Sequence, residues 1–139
     1  MNIDSITRGV VIDHITAGRG MEIVRLLELD KLTCTVAVIR NARSNKSGKK
    51  DIIKIEDEIN LNLEALGFID PDVSVNIIED SRITEKRKIQ PPDKVVNVVK
   101  CKNPRCITTT EKEMPHIFHR VEDTSVYRCA YCEQEYERR

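Results

Sequence analysis

The sequence predicts an α+β chain built in two parts, and three observations carry that expectation. Between residues 9 and 78, β-branched runs and amphipathic stretches follow one another as strand, helix, strand, strand, helix, strand. A Pro-Pro pair then interrupts the chain, and four of the five cysteines crowd into the last third as two tight pairs. The first order is that of a ferredoxin-like βαββαβ unit, an antiparallel sheet with two helices on one face. The second is that of a small β-rich four-cysteine module.

GVVIDHI, Gly9 to Ile15, is a short apolar run rich in β-branched residues and reads as a buried strand. AGRG turns the chain, and MEIVRLLEL carries apolar stripes at helical spacing through Met21, Val24 and Leu27 and through Ile23 and Leu26, ending near Asp30. TCTVAVIR, Thr33 to Arg40, is a second strand, in which Cys34 is expected to be a small buried hydrophobe. The polar NARSNKSGKK is a loop, and DIIKI, Asp51 to Ile55, is a third strand. EDEINLNLEALG places Ile59, Leu63 and Leu66 on one helical face, with Gly67 expected at the C-terminal cap. After the DPD turn, Val73 to Ile78 alternates as a strand, and the charged SRITEKRKI suits an additional edge strand. QPPDK, Gln90 to Lys94, is the expected hinge, which bounds domains at residues 1–90 and 93–139.

The cysteine spacing is Cys101-x4-Cys106-x22-Cys129-x2-Cys132, the layout of a four-thiolate zinc site. Four thiolates complete a tetrahedron and leave no position for substrate, so such a site is structural. A module this small buries too little core to fold comfortably alone, and metal binding supplies the missing free energy. Two disulfides, a redox C-x-x-C and a rubredoxin-like iron centre use the same residues. The absent secretion signal argues against disulfides, the second pair against a redox C-x-x-C, and the flanking motifs against rubredoxin-like iron. His116 and His119 lie between the pairs, but four cysteines already satisfy the metal, so both are expected to be strand or surface residues.

Lys plus Arg equals Asp plus Glu at 23 each, and residues 93–139 hold nine basic against eight acidic side chains. With a tetrathiolate metal adding negative charge, the module is poorly suited to grip phosphate backbones. Two Phe, three Tyr and no Trp leave few stacking platforms for bases. A free-standing zinc ribbon that binds nucleic acid is thus the weaker alternative to a protein-docking module, for which Ile117, Phe118, Val121 and Tyr131 are the apolar candidates. No apolar run is long enough to span a membrane, and MNIDSITRG has no signal-peptide core, so a cytoplasmic chain is expected. No nucleophile, base and oxyanion set assembles, and neither GxxxxGK[ST] nor GxGxxG occurs, which argues against an enzyme. Polar residues do recur on the expected strands: Asp13 and His14, Lys54, Asn76 and, in the edge strand, Lys86. Asp13 and Lys54 could hold sugar hydroxyls and Lys86 could neutralise phosphate, although such residues are commonly solvated strand charges.

RGVVIDHI, KKDIIKIE, VNIIEDSRITEK and the C-x4-C…C-x2-C module ending in CAYCEQEY resemble, in matching order over nearly the whole chain, the aspartate carbamoyltransferase regulatory chain. The resemblance implies a noncatalytic subunit in pyrimidine biosynthesis. Its residues 1–90 would form an allosteric domain binding ATP or CTP, with UTP assisting CTP. Residues 93–139 would bind one structural Zn²⁺ and dock on the catalytic chain, with homodimers of regulatory chains bridging catalytic trimers. Residue by residue, Asp13 and Lys54 match ribose-holding positions, Lys86 matches the phosphate-binding lysine, and His14 falls beside the phosphates. Ile6, Ile12, Asn76, Ile78 and Ile83 match positions that line or support the base and sugar pocket. The four cysteines match all four metal ligands. Ser81 stands where well-known members carry an aromatic, which bears on base packing and nucleotide preference. Fewer residues precede the first strand than in some members.

Overall fold

Alternation along β1 (Gly9–Thr16) separates the two faces of the N-terminal sheet. Val10, Ile12 and Ile15 are buried on the helix-covered side, whereas Val11 and Asp13 are only half-buried on the other. The computed structural model describes residues 6–46 and 48–136, divided into two compact units, Met1–Gln90 and Pro91–Arg139. In the first, β1 is followed by α1 (Gly20–Leu26), a short 3-10 turn (Leu29–Lys31), β2 (Val36–Ser44), β3 (Gly48–Ile55), α2 (Leu63–Ile69), β4 (Ser74–Glu79) and β5 (Arg82–Lys88). The strands form one antiparallel sheet in the order β2-β3-β1-β4-β5. That is the expected ferredoxin-like arrangement, with SRITEKRKI supplying the extra edge strand. Every residue of β5 is exposed, and its alternating charges keep that edge from pairing with another sheet.

The core lies between the sheet and the helices. Ile12, Ile53, Ile55 and Val75 of the strands meet Ile23 of α1 and Leu66, Phe68 and Ile69 of α2, all essentially inaccessible to water. Each such side chain contributes about 1.5–3 kcal/mol by leaving water. α2 begins later than its apolar spacing suggests, because the Asn62 side chain accepts from the Ala65 amide at 3.0 Å and caps the helix there. Gly67 does not cap the helix but lies inside it. A β-carbon there would sit 2.4 Å from the Gln90 carbonyl oxygen, so glycine is required by the close approach of the returning chain. β2 and β3 extend into the segment expected as a loop, which shortens their connection to residues 45–47. Cys34 is half-buried in a bend before β2, not within a strand.

Two buried carboxylates organise the turn after β1. Asp51 Oδ2 accepts from the Gly18 and Gly20 amides, each at 3.0 Å, and Oδ1 accepts from the Asn41 amide at 3.0 Å. Asp70 accepts from the Thr16 amide at 2.6 Å and from the Asp72 amide at 3.1 Å. Arg19 reaches the same helix end, donating to the Ile69 carbonyl at 3.0 Å. Both β1 and β2 carry a bulge opposite this region of β3. The register slips between Ile12 and Ile15 and again between Ile39 and Ala42, with His14 and Asn41 in the left-handed region at φ of 59° and 58°.

The second unit pairs β6 (Lys94–Val96), β7 (Ile117–Arg120) and β8 (Tyr127–Cys129) as an antiparallel sheet in that order, with one helical turn, α3 (Ile107–Thr110). Val95, Val99, Phe118 and Tyr127 form its small core, and Tyr136 packs edge-on against Phe118 with ring centres 5.5 Å apart. The start of this unit is firmly tied. Tyr127 donates its hydroxyl to the Pro92 carbonyl at 2.5 Å, and Arg120 Nη2 bonds Asp93 at 3.0 Å. The Arg120 amide also donates to the Asp93 carbonyl at 2.8 Å.

Asp51→Ala leaves three amides in a closed region without their acceptor. The substitution is expected to destabilise the N-terminal unit by about 3 kcal/mol or more, with a smaller loss for Asp51→Asn, as read from urea unfolding midpoints.

Candidate functional site

The open face of the N-terminal sheet carries a cleft of about 350 Å³, within the range of small-molecule sites. Ile6, Val11, Asp13, Ile52, Lys54, Asn76, Ile78, Ser81 and Ile83 line it. The strand register explains the assembly. Lys54 pairs with Val11, Val11 with Asn76, and Asn76 with Lys86, so these four residues form one row across four strands on the same face. Neighbouring strands lie about 4.8 Å apart, which puts the backbones of Lys54 and Lys86 roughly 14 Å from one another across the trough. Asp13 is joined by register to Ser74 and then to Lys88, one step along the same face.

Asp13 meets Lys50 at 2.9 Å and accepts from the His14 amide at 2.6 Å, both through Oδ1. Burial raises the Asp13 carboxyl, but the Lys50 hydrogen bond and the His14 amide outweigh it and hold the group below the usual carboxylate range. Asp13 is therefore an anion at neutral pH, a fixed acceptor suited to hydroxyl groups. Lys50 pairs with it, Lys54, Lys86 and Lys88 share its face of the sheet, and together they make that face attractive to an anionic ligand. The rim is completed by the β4–β5 hairpin, where Asp80 and Ser81 both take left-handed conformations at φ of 50° and 63° in a two-residue turn. The Ser81 amide donates to the Thr7 carbonyl at 2.9 Å and so pins the segment that carries Ile6 beside the cleft.

Of the residues singled out from sequence, Ile6, Asp13, Lys54, Asn76, Ile78 and Ile83 come together in this cleft. Lys86 shares the face, in register with Asn76, but lies beyond the cleft's lining. His14 sits in the β1 bulge, where Nδ1 lies 3.0 Å from Ser74 Oγ. It borders a neighbouring cleft of about 560 Å³ with Thr16, Lys46 and Lys49. Ile12 is placed elsewhere. It is fully buried on the helix-covered face, because strand alternation turns it away from Val11 and Asp13, so it supports the sheet and does not line the cleft. Val11 and Ile52 were missed, although Val11 follows from the same alternation. Lys50 was missed because the bulge alone brings it to Asp13.

In the second unit, Cys101, Cys106, Cys129 and Cys132 place their four sulfurs within 4.8 Å of one another. Cys101 to Cys132 and Cys106 to Cys129 are each 3.7 Å apart. Metal–sulfur bonds of roughly 2.3 Å put the corners of a tetrahedron about 3.8 Å apart, so the cluster fits a four-coordinate structural zinc site. The spacing is far from the roughly 2.05 Å of a disulfide, and all four thiols are free. Burial pushes the Cys101 thiol up to about 12 and raises Cys129 as well. At Cys132 burial acts in the same direction, but the Gln134 amide and the Asn103 side chain lower the group to about 7. A bare thiol cluster thus resists full ionisation, and a cation's charge is what allows four thiolates side by side. His116 and His119 are outside this group. Of the apolar docking candidates, some of which the core must take, Phe118 is in the core, whereas Ile107 and Val96 are exposed apolar residues outside that set.

Residues 1–90 match the family described as aspartate carbamoyltransferase regulatory chain, allosteric domain, and residues 93–139 match its metal binding domain. This chain belongs to the aspartate carbamoyltransferase regulatory chain family. It is 48% identical over 137 residues to the aspartate carbamoyltransferase regulatory chain of Clostridium botulinum strain Hall, covering 98% of this chain and 94% of that one. The corresponding chain of Clostridium tetani is 48% identical over 138 residues, covering 98% and 96%. That of Bifidobacterium longum is 39% identical over 136 residues, covering 97% and 98%. This is a non-enzymatic regulatory subunit with a catalytic-chain partner, and its cysteine cluster lies in the matched metal-binding domain. Among the described residues, no helix is long and apolar enough to cross a membrane.

Because thiolates bind the metal, protons compete with it. Acidification is expected to release the ion, with chelator-accessible metal rising as pH falls. Removing the ion at neutral pH should unfold residues 91–139 while the N-terminal sheet persists, as followed by amide NMR.

Proposed function

We propose that the cleft on the open sheet face is an effector site for CTP and ATP, with UTP assisting CTP. The observation that carries this reading is the single row of Lys54, Val11, Asn76 and Lys86 with Asp13 beside it. Asp13 and Lys54 hold the ribose hydroxyls, Asn76 and the apolar Ile6, Ile78 and Ile83 surround sugar and base, and Lys86 meets phosphate. His14 lies on the phosphate side, while Ile12 acts only from behind, through the core. With Ser81 in place of an aromatic, base packing depends on aliphatic side chains and backbone groups, which favours modest affinity.

The ion is Zn²⁺, one per chain, and the metal module docks on the catalytic chain. Ile107, 47% exposed, follows Cys106 directly, and Tyr131, 38% exposed, lies between Cys129 and Cys132. Both side chains thus ride on the metal knuckles, so loss of the ion would scatter the docking surface. Homodimers of this subunit bridge catalytic trimers in the cytoplasm. A nucleotide alters the enzyme by binding its two quaternary states unequally, with a coupling of about 1–3 kcal/mol.

Calorimetric titration of the metal-loaded chain with CTP and then ATP should show saturable, mutually competitive binding, weakened at least about tenfold in Lys54→Ala and in Lys86→Ala. No binding by the folded chain, alone or assembled, overturns the effector site. Sedimentation of mixed catalytic and regulatory chains should show assembly only with zinc present, and assembly that survives complete metal removal defeats the docking role.

A further inference from the structure

We infer that Thr108 and His116 are positioning residues of the metal centre that set how firmly the ion is held. Thr108 stands in α3, two residues after Cys106, and is 3% exposed. Its hydroxyl lies 3.0 Å from Cys106 Sγ. A metal-bound thiolate has no proton and can only accept, so the hydroxyl donates to the sulfur. The two threonines that follow are engaged elsewhere: Thr109 donates to the Asn103 carbonyl at 2.7 Å and Thr110 to the Ile107 carbonyl at 3.1 Å. Of the three, Thr108 alone is buried and turned toward the cluster.

His116 supports the opposite corner. Its Nδ1 accepts from the Cys101 amide at 3.1 Å, which places the ring proton on Nε2. The backbone that carries the ring is bound twice to Asn97. The His116 amide donates to Asn97 Oδ1 at 2.9 Å, and the Asn97 amide donates to the His116 carbonyl at 2.7 Å. His116 thus fixes the backbone from which Cys101 Sγ projects, and Thr108 fixes and partly neutralises Cys106 Sγ. The two contacts fall in different close sulfur pairs, one on the Cys106 sulfur and one on the Cys101 backbone. Such outer contacts typically change metal affinity 10- to 100-fold.

The inference rests on the metal-centre reading, and the experiment separates the two. Full-length chain is loaded with Zn²⁺, and transfer of the ion to excess chromogenic chelator is timed. The same chain loaded with Co²⁺ reports the sulfur-to-metal charge-transfer band. Thr108→Val, which keeps shape but loses the hydroxyl, is expected to release zinc about 10-fold faster and to shift the Co²⁺ band to lower energy, since an unbonded thiolate gives up its electrons more readily. Thr108→Ser restores both values. His116→Leu speeds release without moving the band, and His116→Gln, which retains an acceptor, restores it. Where valine prevents folding, Thr108→Ala is compared with Thr108→Ser instead. Wild-type release and an unmoved band in Thr108→Val or Thr108→Ala overturn the inference, as does failure of serine to rescue. Failure of the wild-type chain to bind either ion overturns the metal centre itself.

Discussion

The N-terminal unit depends on one buried carboxylate. Asp51 gathers the amides of Gly18, Gly20 and Asn41, which belong to the turn after β1 and to the bulge in β2. Gly20 stands so close that a β-carbon there would fall 2.9 Å from Asp51 Oδ2, so the acid and the glycine fit as a pair. Burying a charge without partners would cost several kcal/mol, and three amide donors offset that cost while removing three unpaired groups. The arrangement holds β1 and β2, which flank β3, against it despite their broken registers. The bulge in β1 then leaves Asp13 on the open face while returning Ile15 to the core. A charge inside the fold thus determines where a second charge is presented outside it.

Much of this was legible in the residue pattern. The β-branched runs of β1, β3 and β4 announced themselves through composition and alternation, and the ladder order followed from their sequence with two helices. What stayed hidden were the places where one residue breaks the period. GVVIDHI reads as an uninterrupted strand, so nothing signals that His14 adopts a left-handed conformation. Of the two places open to Ile12, lining the pocket or supporting it, its even-numbered register with Val10 gives the buried, supporting one. Gly67 invited a cap reading because glycine commonly ends helices, yet its reason is a carbonyl from a segment more than twenty residues away.

The cysteine centre shows the same division. Pair spacing is a local property, so the four ligands could be named from the chain alone. Their surroundings are not local. Thr108 is one of three consecutive threonines that look alike in sequence, and His116 belongs to an H-x2-H that invites a ligand reading. Three-dimensional proximity distinguishes them: one hydroxyl meets a sulfur, and one ring meets the amide of a ligand residue. The smaller unit therefore gathers its four sulfurs by local spacing and surrounds them with neutral polar groups brought from elsewhere in the chain.

The connection between the two units has a mechanical consequence. On its N-terminal side, buried Ile89 and the Gln90 carbonyl are seated at Gly67 of α2. On its C-terminal side, Pro92 and Asp93 are held by Tyr127 and Arg120. Pro91 alone lies between these anchorages, and its ring locks one of its two backbone torsions. Each unit therefore secures its own end of the chain right up to this proline. The last residues of one unit and the first of the next are thus spent on packing, and a residue inserted or removed here would disturb a core on one side or an anchored strand on the other.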